Sequence, residues 1–344
     1  MSFKRLDPED FLISADSITA GAWTGNVPTL TEFYTSSVQE GGASGQYYLS
    51  VYQTGSLLTE SEVQFNIAFG DSAGSGSALY DTGIDGKSPT STVYGQFQNI
   101  ILGDENNSFT FGGVTPVTQS FYAITVERSK FKGSIFPGTL NLTLTNGSDT
   151  ISLTDNSNDV PSISFNEAGR VFQLVSGSNG SATNVNITGQ VAAGMTPSGS
   201  YGLFLPDIGT LILNTSALDL SAANGGISLG TEFDQNTDNG NPDKLYNALV
   251  DGGNFTLNSQ ENITSDYVFV RARNAEYNYS ENPSFISGST GEVLYPQLIN
   301  SPQTFITTVG LYNDANELLA VAKLSKPLKK DFTKEALIRV KLDF

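Results

Sequence analysis

Short apolar segments bounded by turn residues recur along the chain, and most of them are rich in aromatic and β-branched side chains. In LNLTLT (140–145), Leu140, Leu142 and Leu144 would point to one side of a strand and the polar residues between them to the other. Asn146-Gly147 follows, and this dipeptide favours a tight hairpin turn. The same composition predicts strands over residues 46–53, 62–69, 96–103, 108–113, 121–127, 150–155 and 162–165.

Helix signals are sparse along the chain. The clearest lies at residues 241–253, where Pro242 and Asp243 suit a first helical turn and Leu245, Ala248 and Leu249 share one face. A pair of glycines ends this segment. A further short helix is expected within residues 6–14. These helices would decorate a β fold without defining it.

The C-terminal region carries two strand-like runs, 304–312 and 318–324, on either side of the turn sequence NDANE. They predict an antiparallel hairpin. A third run follows Pro327, and its side chains alternate along residues 336–344. Ala336, Ile338, Val340, Leu342 and Phe344 would form an apolar face, opposite Leu337, Arg339, Lys341 and Asp343.

These patterns predict a mainly β protein made of antiparallel sandwich or jelly-roll-like β domains with a few short helices. Three segments are expected: an N-terminal β domain (1–135), a β-hairpin region with a linker (136–190), and a C-terminal β domain with one short helix (191–344). The Ser/Asn/Gly/Thr-rich stretch 175–200 is interpreted as an interdomain connection or a long exposed loop. No fixed-period repeat is present, although a parallel β-helix without an obvious repeat stays open.

The 344 residues include no histidine and no cysteine. The chain therefore cannot build a Ser-His-Asp triad, a Cys-His pair, a structural zinc site or a thiol redox centre. The segment FGDSAG (69–74) matches the G-x-S-x-G pattern of serine esterases at Ser72. Because a serine hydroxyl needs a base, nearly always histidine, we interpret this segment as a Gly/Ser loop that follows a strand.

Two further patterns have chemical and structural interpretations. Ser129 and Lys132 have the S-x-x-K spacing, but residues 121–133 have a strand-like composition, so Lys130 and Lys132 are interpreted as a solvated strand end. Asp234, Asn236 and Asp238 occupy positions 1, 3 and 5 of an EF-hand-like loop. The match fails at Asn239 and Leu245, so a surface turn is favoured over a calcium site.

No catalytic, cofactor-binding or metal residue is assigned from these patterns. The chain is expected to be no enzyme and to need no cofactor. A depolymerase that uses two carboxylates stays open in principle, because the chain has 35 acidic residues, but no pair stands out.

The charges are unevenly placed. The net charge is −18, which disfavours nucleic-acid binding because an anionic surface repels phosphates. Seven of the 17 lysines and arginines lie between Lys323 and Lys341. Against three acidic residues they give +4 for residues 323–344, which leaves −22 for the rest. This polarity suits docking against an acidic surface, including a second copy of the chain. The alternative is that these lysines only keep loops near the C-terminus soluble.

The N-terminal residues contain no apolar segment typical of a signal peptide, and no apolar run approaches the roughly 18 residues that a membrane span needs. We therefore expect neither secretion through such a signal nor a membrane partner.

Several long segments resemble virion structural proteins of contractile-tailed bacteriophages, especially myoviruses of marine cyanobacteria. They are YNYSENPSF (277–285), PQTFITTVGLYNDANELLAVAKLSKP (302–327), KEALIRVKLDF (334–344), FKRLDPEDFLISADSITAGAW (3–23) and YGLFLPDIGTLILN (201–214). The resemblance implies a non-enzymatic component of the virion, assembled in the host cytoplasm. As the position of the protein in the virion, the tail, baseplate or neck is favoured over the head.

The partners that the resemblance implies are other virion structural proteins and further copies of the chain itself. A receptor-binding fibre or adhesin, which would read host polysaccharide with exposed aromatics such as Trp23 and the 14 tyrosines, is the alternative. A capsid decoration protein is a further option.

Overall fold

The computed structural model describes residues 4–35, 48–54, 61–74, 76, 89–104, 106–112, 119–183, 200–234, 240–280 and 282–343. Within these residues the protein is mainly β, with antiparallel sheets and a few short helices, which confirms the predicted fold class. The strands are β1 (Phe11–Gly21), β2 (Thr29–Leu30), β3 (Tyr34–Thr35), β4 (Tyr48–Tyr52), β5 (Val63–Asp71), β6 (Ser120–Val126), β7 (Ser134–Ile135), β8 (Asn141–Asn146), β9 (Asp149–Asp155), β10 (Ser164–Asn166), β11 (Gly169–Ser178), β12 (Ser181–Ala182), β13 (Gly202–Leu205), β14 (Thr210–Asn214), β15 (Asn254–Thr256), β16 (Asn258–Ala272), β17 (Gln303–Tyr312), β18 (Leu318–Asp331) and β19 (Ala336–Asp343). The α-helices are α1 (Thr90–Leu102), α2 (Thr215–Leu218), α3 (Asn241–Gly252) and α4 (Gln297–Asn300).

The chain divides into two compact units. We call Met1–Ser17 with Asn262–Phe344 the terminal unit, and Ile18–Glu261 the central unit. This division differs from the three segments expected from the sequence. The reason is long-range strand pairing: β6 of the first expected segment pairs with β14 of the third, so both belong to one sheet.

A thirteen-stranded antiparallel sheet organises the central unit and curls into a half-barrel. Its strand order is β2-β15-β8-β9-β11-β13-β14-β6-β5-β4-β3, and β10 and β12 pair with β11 outside this path. The pair β5–β6 extends from Phe65 opposite Val126 to Asp71 opposite Ser120. These antiparallel pairings rule out a parallel β-helix for this unit.

Both faces of the sheet are covered at its centre. In β6, Phe121 and Ala123 belong to one apolar cluster, whereas Tyr122 and Ile124 belong to the other. Strand β6 is therefore apolar almost throughout and does not alternate, as expected for a strand that is buried on both sides. α1 contributes to the first cluster and α3 to the second.

The hairpin predicted around LNLTLT is present as β8–β9, and its three leucines are buried. The turn lies one residue later than the sequence suggested. Asn146 pairs with Asp149, so Gly147 and Ser148 form the two-residue loop. Gly147 has a φ of 63°, a left-handed conformation that favours glycine.

Two strand predictions were wrong. Residues 96–103 form the second half of α1 and its cap, because Tyr94, Phe97 and Ile101 recur at helical spacing and pack on the sheet together. The segment that was predicted as a strand begins at residue 96 and omits Tyr94, so the helical spacing of the apolar residues is not visible in it. Within 108–112, Phe109 makes only a single bridge, although its ring is fully buried.

The helix predicted at 241–253 is confirmed as α3, with Pro242 in its first turn and Gly253 as its left-handed C-cap. Residues 6–14 contain only one turn of 3-10 helix, Pro8–Asp10, before β1 begins. The start of the expected linker is also ordered. Its first residues lie in β11 and β12, whereas 184–199 lie outside the described residues.

The terminal unit contains two small sheets. In the first, β16 is flanked by β1 and β19, with Ser265 opposite Asp343 and Ala272 opposite Ala336. The first residues of β16, which belong to the central unit, pair with β7 as the fourth strand. The predicted C-terminal strand is therefore confirmed, and Val340 is buried on its apolar face. Phe344, the last residue of that prediction, lies outside the described residues.

The second sheet of the terminal unit is the predicted hairpin β17–β18, which is two-stranded within the described part of the chain. Ile306 pairs with Leu328 and Thr308 with Lys323, so residues 324–327 bulge out opposite Thr307. Pro327 lies in this bulge, where it does not have to donate a ladder hydrogen bond.

Candidate functional site

Ser72, the candidate nucleophile of the G-x-S-x-G pattern, lies in an exposed turn at the end of β5. Its backbone NH donates to the Gln119 carbonyl, and the Gly74 NH donates to the Asp71 carbonyl. A nucleophile elbow leads directly from a strand into a helix, whereas here α1 begins only at Thr90. The geometry is that of a polar turn.

The S-x-x-K residues do not share a helix face. Ser129 lies in a single 3-10 turn, Arg128–Lys130, and Lys132 lies beyond it. Lys132 is exposed and forms an ion pair of 2.8 Å with Glu261. Lys130 differs, because its side chain is only 7% exposed. The interpretation of Lys130 as a solvated strand end was therefore wrong.

Lys130 belongs to a polar network that fixes the chain near Thr24. Its Nζ donates to Thr24 Oγ1 at 2.6 Å and contacts the Glu62 carboxylate. The buried Gln64 completes the network, since its Oε1 accepts from the Thr24 backbone NH at 3.0 Å. The Lys130 hydrogen bond and charge lower the pKa of Glu62. The network joins three distant segments, which is a structural role.

The EF-hand-like residues are only partly described. Asp234 lies at the end of a described segment, whereas Asn236, Asp238 and Asn239 lie outside the described residues, and Leu245 is buried in α3. In the part of the chain that the structure describes, no group of three or more His, Cys, Asp or Glu side chains could hold a metal ion.

Two carboxylates of the central unit have pKa values shifted in opposite directions. Burial raises the pKa of Asp155, and the backbone amides of Gly138 and Ser157, which donate to it, only partly oppose this effect. Burial alone would also raise the pKa of Asp207. Hydrogen bonds and charge from Arg170, whose Nη2 lies 2.6 Å from Asp207 Oδ1, outweigh it and lower the pKa.

A shifted pKa in a cleft would mark a candidate active site. Asp155, however, is completely buried and holds the backbone at Gly138, so a substrate cannot reach it. Asp207 is held by the side chain and the backbone NH of Arg170. Both carboxylates organise the sheet connections of the central unit.

The positive C-terminal region is distributed over β18, β19 and the turn between them. On β18, Lys323, Lys326 and Lys329 are exposed, whereas Lys330 is completely buried. The Nζ of Lys330 donates to the carbonyls of Asn274 and Asp331 and to Asn278 Oδ1. The buried lysine thus fastens the base of the hairpin, and the three exposed lysines give the hairpin a cationic side.

The terminal unit has very little core of its own. Its buried apolar residues, within the described part of the chain, are Val268, Ala272, Ala336 and Val340, and both large apolar clusters lie in the central unit. Of the 25 large apolar side chains that are exposed in the described residues, 16 belong to the terminal unit. They are Phe11, Leu12, Ile13, Tyr277, Tyr279, Leu294, Tyr295, Ile299, Phe305, Tyr312, Leu318, Leu319, Val321, Leu328, Phe332 and Leu337.

This distribution is unusual for a monomeric domain. A folded unit must bury enough apolar surface to offset the conformational entropy of ordering its chain. An isolated two-stranded hairpin is marginally stable in water at best, and large exposed apolar patches mark interaction sites. The terminal unit is therefore the candidate interaction surface of the chain.

The sequence did not reveal this surface. Alternation in 304–312 and 318–324 predicts strands, but it does not tell which strand faces find a partner within the chain. The seven clustered cations were the signal that pointed to the same region.

A smaller apolar patch lies on the central unit, at β10. Ile163 and Phe165 are exposed there, the latter by 70%. The exposed carboxylates of Asp159 and Glu167 flank them in the sequence. The strand SISF was predicted correctly in type, but its aromatic residue faces solvent, and no feature of the sequence indicated this.

Comparisons with known protein families, with curated proteins and with solved structures found no match to this chain. Among the described residues, no helix is long and apolar enough to cross a membrane.

Proposed function

We propose that this chain is a non-enzymatic structural component of a tailed-bacteriophage virion, which assembles with copies of itself and with other virion proteins, in the tail, baseplate or neck. The observation that carries the proposal is the terminal unit, whose described residues include four buried apolar side chains and 16 large apolar side chains that are exposed. Such a surface suits a permanent interface, because obligate interfaces resemble a domain core cut in two. The sequence resemblance to virion structural proteins supports the same proposal.

The proposal is tested in the virion itself. A phage that encodes this chain is purified, its proteins are counted by quantitative mass spectrometry, and the chain is located with gold-labelled antibodies. We expect a fixed ratio to other virion proteins and label confined to the tail, baseplate or neck. Absence from purified virions would overturn the proposal.

A second candidate, a receptor-binding fibre or adhesin, is favoured by one observation. Tyr277, Tyr279 and Tyr295 are exposed and close in sequence within the terminal unit, and exposed aromatics suit saccharide binding. Glycan-array binding by the purified chain, lost in Tyr279→Ala, would favour this candidate. A decoration protein would instead place the gold label over the head.

Catalysis is addressed by a separate measurement. The purified chain is incubated with host polysaccharide, and the viscosity of the solution is followed. We expect no change. A fall in viscosity that is abolished by replacing one carboxylate would replace the structural proposal with a depolymerase.

A further inference from the structure

The outer face of the hairpin β17–β18 combines apolar and cationic side chains. Register places Tyr312 with Leu318, and Gly310 with Val321, on one face of the two-stranded sheet. All four residues are exposed there, and Leu319, an extra residue at the register shift beside them, is 68% exposed. The Tyr312 ring lies across Gly310, where a Cβ would be 2.9 Å from the ring. The face is therefore a continuous apolar surface.

The cations lie beside this face, along β18. Lys323, Lys326 and Lys329 are exposed, and Lys329 forms an ion pair of 3.9 Å with Asp331. The turn at the tip carries Asp314 and Glu317, so the cationic part of the hairpin is its middle and base. The hairpin thus offers an apolar face next to three positive charges.

The patch at β10 has the complementary character. Ile163 and Phe165 supply exposed apolar surface, the exposed Glu167 follows in the turn between β10 and β11, and the exposed Asp159 lies four residues before Ile163 in the sequence. Asp104 adds a third carboxylate nearby, because its neighbour Gly103 lies against the Glu167 side chain. A Cβ atom on residue 103 would be 2.6 Å from Glu167 Cγ. The whole central unit is acidic, with 22 aspartates and glutamates against six lysines and arginines, a net charge of −16.

We infer that the outer face of the hairpin β17–β18 docks onto the β10 patch of a second copy of this chain. The apolar residues around Leu319 would cover Phe165, and the three lysines would face Asp104, Asp159 and Glu167. The inference rests on the proposed function, because it names the contact through which the chain assembles. Two different surfaces meet in this contact, so it is heterologous and builds rings or open arrays.

The absence of cysteine from the native chain makes a direct test possible. Phe165→Cys and Leu319→Cys are made in separate, differently tagged full-length chains, which are co-expressed and mildly oxidised. We expect a disulfide-linked dimer that carries both tags. Two matched controls each move one cysteine to another exposed apolar position. Phe233→Cys on the central unit, where Phe233 is 56% exposed, replaces Phe165→Cys, and Leu337→Cys on β19, where Leu337 is 60% exposed, replaces Leu319→Cys. The control pairs should crosslink at least about tenfold less.

Charge reversal tests the electrostatic part of the contact. Glu167→Lys alone and Lys323→Glu alone should each lower the crosslink yield, because each places like charges together. Both changes, one on each co-expressed chain, should restore the yield. If the paired reversal restores nothing, the assigned contact is wrong.

Copurification of the two tags distinguishes a wrong docking inference from a wrong proposed function. If the two tagged chains copurify but crosslink no better than the controls, the chain assembles through another surface and only the docking inference fails. If they do not copurify, self-assembly itself fails. A single chain with both cysteines that crosslinks internally as a monomer would also overturn the inference.

Discussion

The Nε1 of Trp23 donates a hydrogen bond of 2.9 Å to the carbonyl of Phe255, and the two rings lie 5.0 Å apart. The Phe65 ring packs against both of them. Trp23 is 1% exposed and is the single tryptophan of the chain, so its fluorescence reports on the core of the central unit alone.

Trp23→Phe should destabilise the central unit. It removes the indole hydrogen bond, leaves the buried Phe255 carbonyl without that donor, and opens a small cavity. We expect a loss of about 1–3 kcal/mol in the free energy of unfolding. Urea unfolding followed by circular dichroism measures it, and a loss near zero would show that the indole contact is not structural.

Lys130 and Lys132 form a matched pair, because each contacts one glutamate, but the Lys130 side chain is 7% exposed and the Lys132 side chain 75%. Lys130→Met should cost about 1–2 kcal/mol, because Thr24 and Glu62 lose a charged hydrogen-bonded neighbour. Lys132→Met should cost less than about 0.5 kcal/mol, since its exposed ion pair is screened by water. Urea unfolding followed by Trp23 fluorescence compares them. Equal losses would contradict the assigned network.

The shifted pKa values of Asp155 and Asp207 predict pH dependences of opposite sign. The raised pKa of Asp155 means that the folded chain holds this proton more tightly than the unfolded chain. Its stability contribution is therefore present below the ordinary pKa of 3.8 and is lost as the pH rises through the folded value. The lowered pKa of Asp207 gives a contribution that is present above 3.8 and lost as the pH falls through the folded value.

Asp155→Asn and Asp207→Asn isolate these contributions. The free energy of unfolding of each variant is subtracted from that of the unmodified chain, between about pH 2 and pH 6. The difference should fall with rising pH for Asp155 and rise with it for Asp207. If the free-energy difference changes with pH in the same direction for both variants, the pKa shift described for at least one of the two carboxylates is wrong.

Local patterns predicted the elements whose neighbours are close in sequence. The β8–β9 hairpin, α3 and the C-terminal strands were identified because their signals lie within a few residues of one another. Long-range partners were not accessible in this way. Lys130 is buried because Thr24 and Glu62, which lie 106 and 68 residues away, come to it. The terminal unit likewise joins the two ends of the chain, which no local composition indicates.

The same limit applies to the candidate site. The cluster of cations near the C-terminus pointed to the same region as the candidate interaction surface, because charge can be counted along a sequence. The exposed apolar face that contains Val321 could not be predicted, since a strand whose apolar face is covered has the same alternation as one whose apolar face is left uncovered. Phe165 is another example of this ambiguity.

The thin core of the terminal unit predicts uneven local stability. In the dilute, unassembled chain, the amide protons of β17 and β18 should exchange faster than those of β5 and β6, which lie in the centre of the large sheet. Assembly should slow exchange in β17 and β18 and leave β5 and β6 unchanged. Hydrogen–deuterium exchange with mass spectrometry measures this, and strong protection of the hairpin in the monomer would contradict the account.

The central claim is that the terminal unit is completed by other copies of the chain. Sedimentation velocity of the full chain over a wide concentration range tests it most directly, with Leu319→Glu/Val321→Glu as the variant and Leu337→Glu as its exposed control. We predict that the unmodified chain and the control form oligomers, and that the double variant remains monomeric while keeping the Trp23 fluorescence of the folded central unit. A chain that stays monomeric up to about 100 μM, at which even weak specific contacts are populated, would contradict the claim.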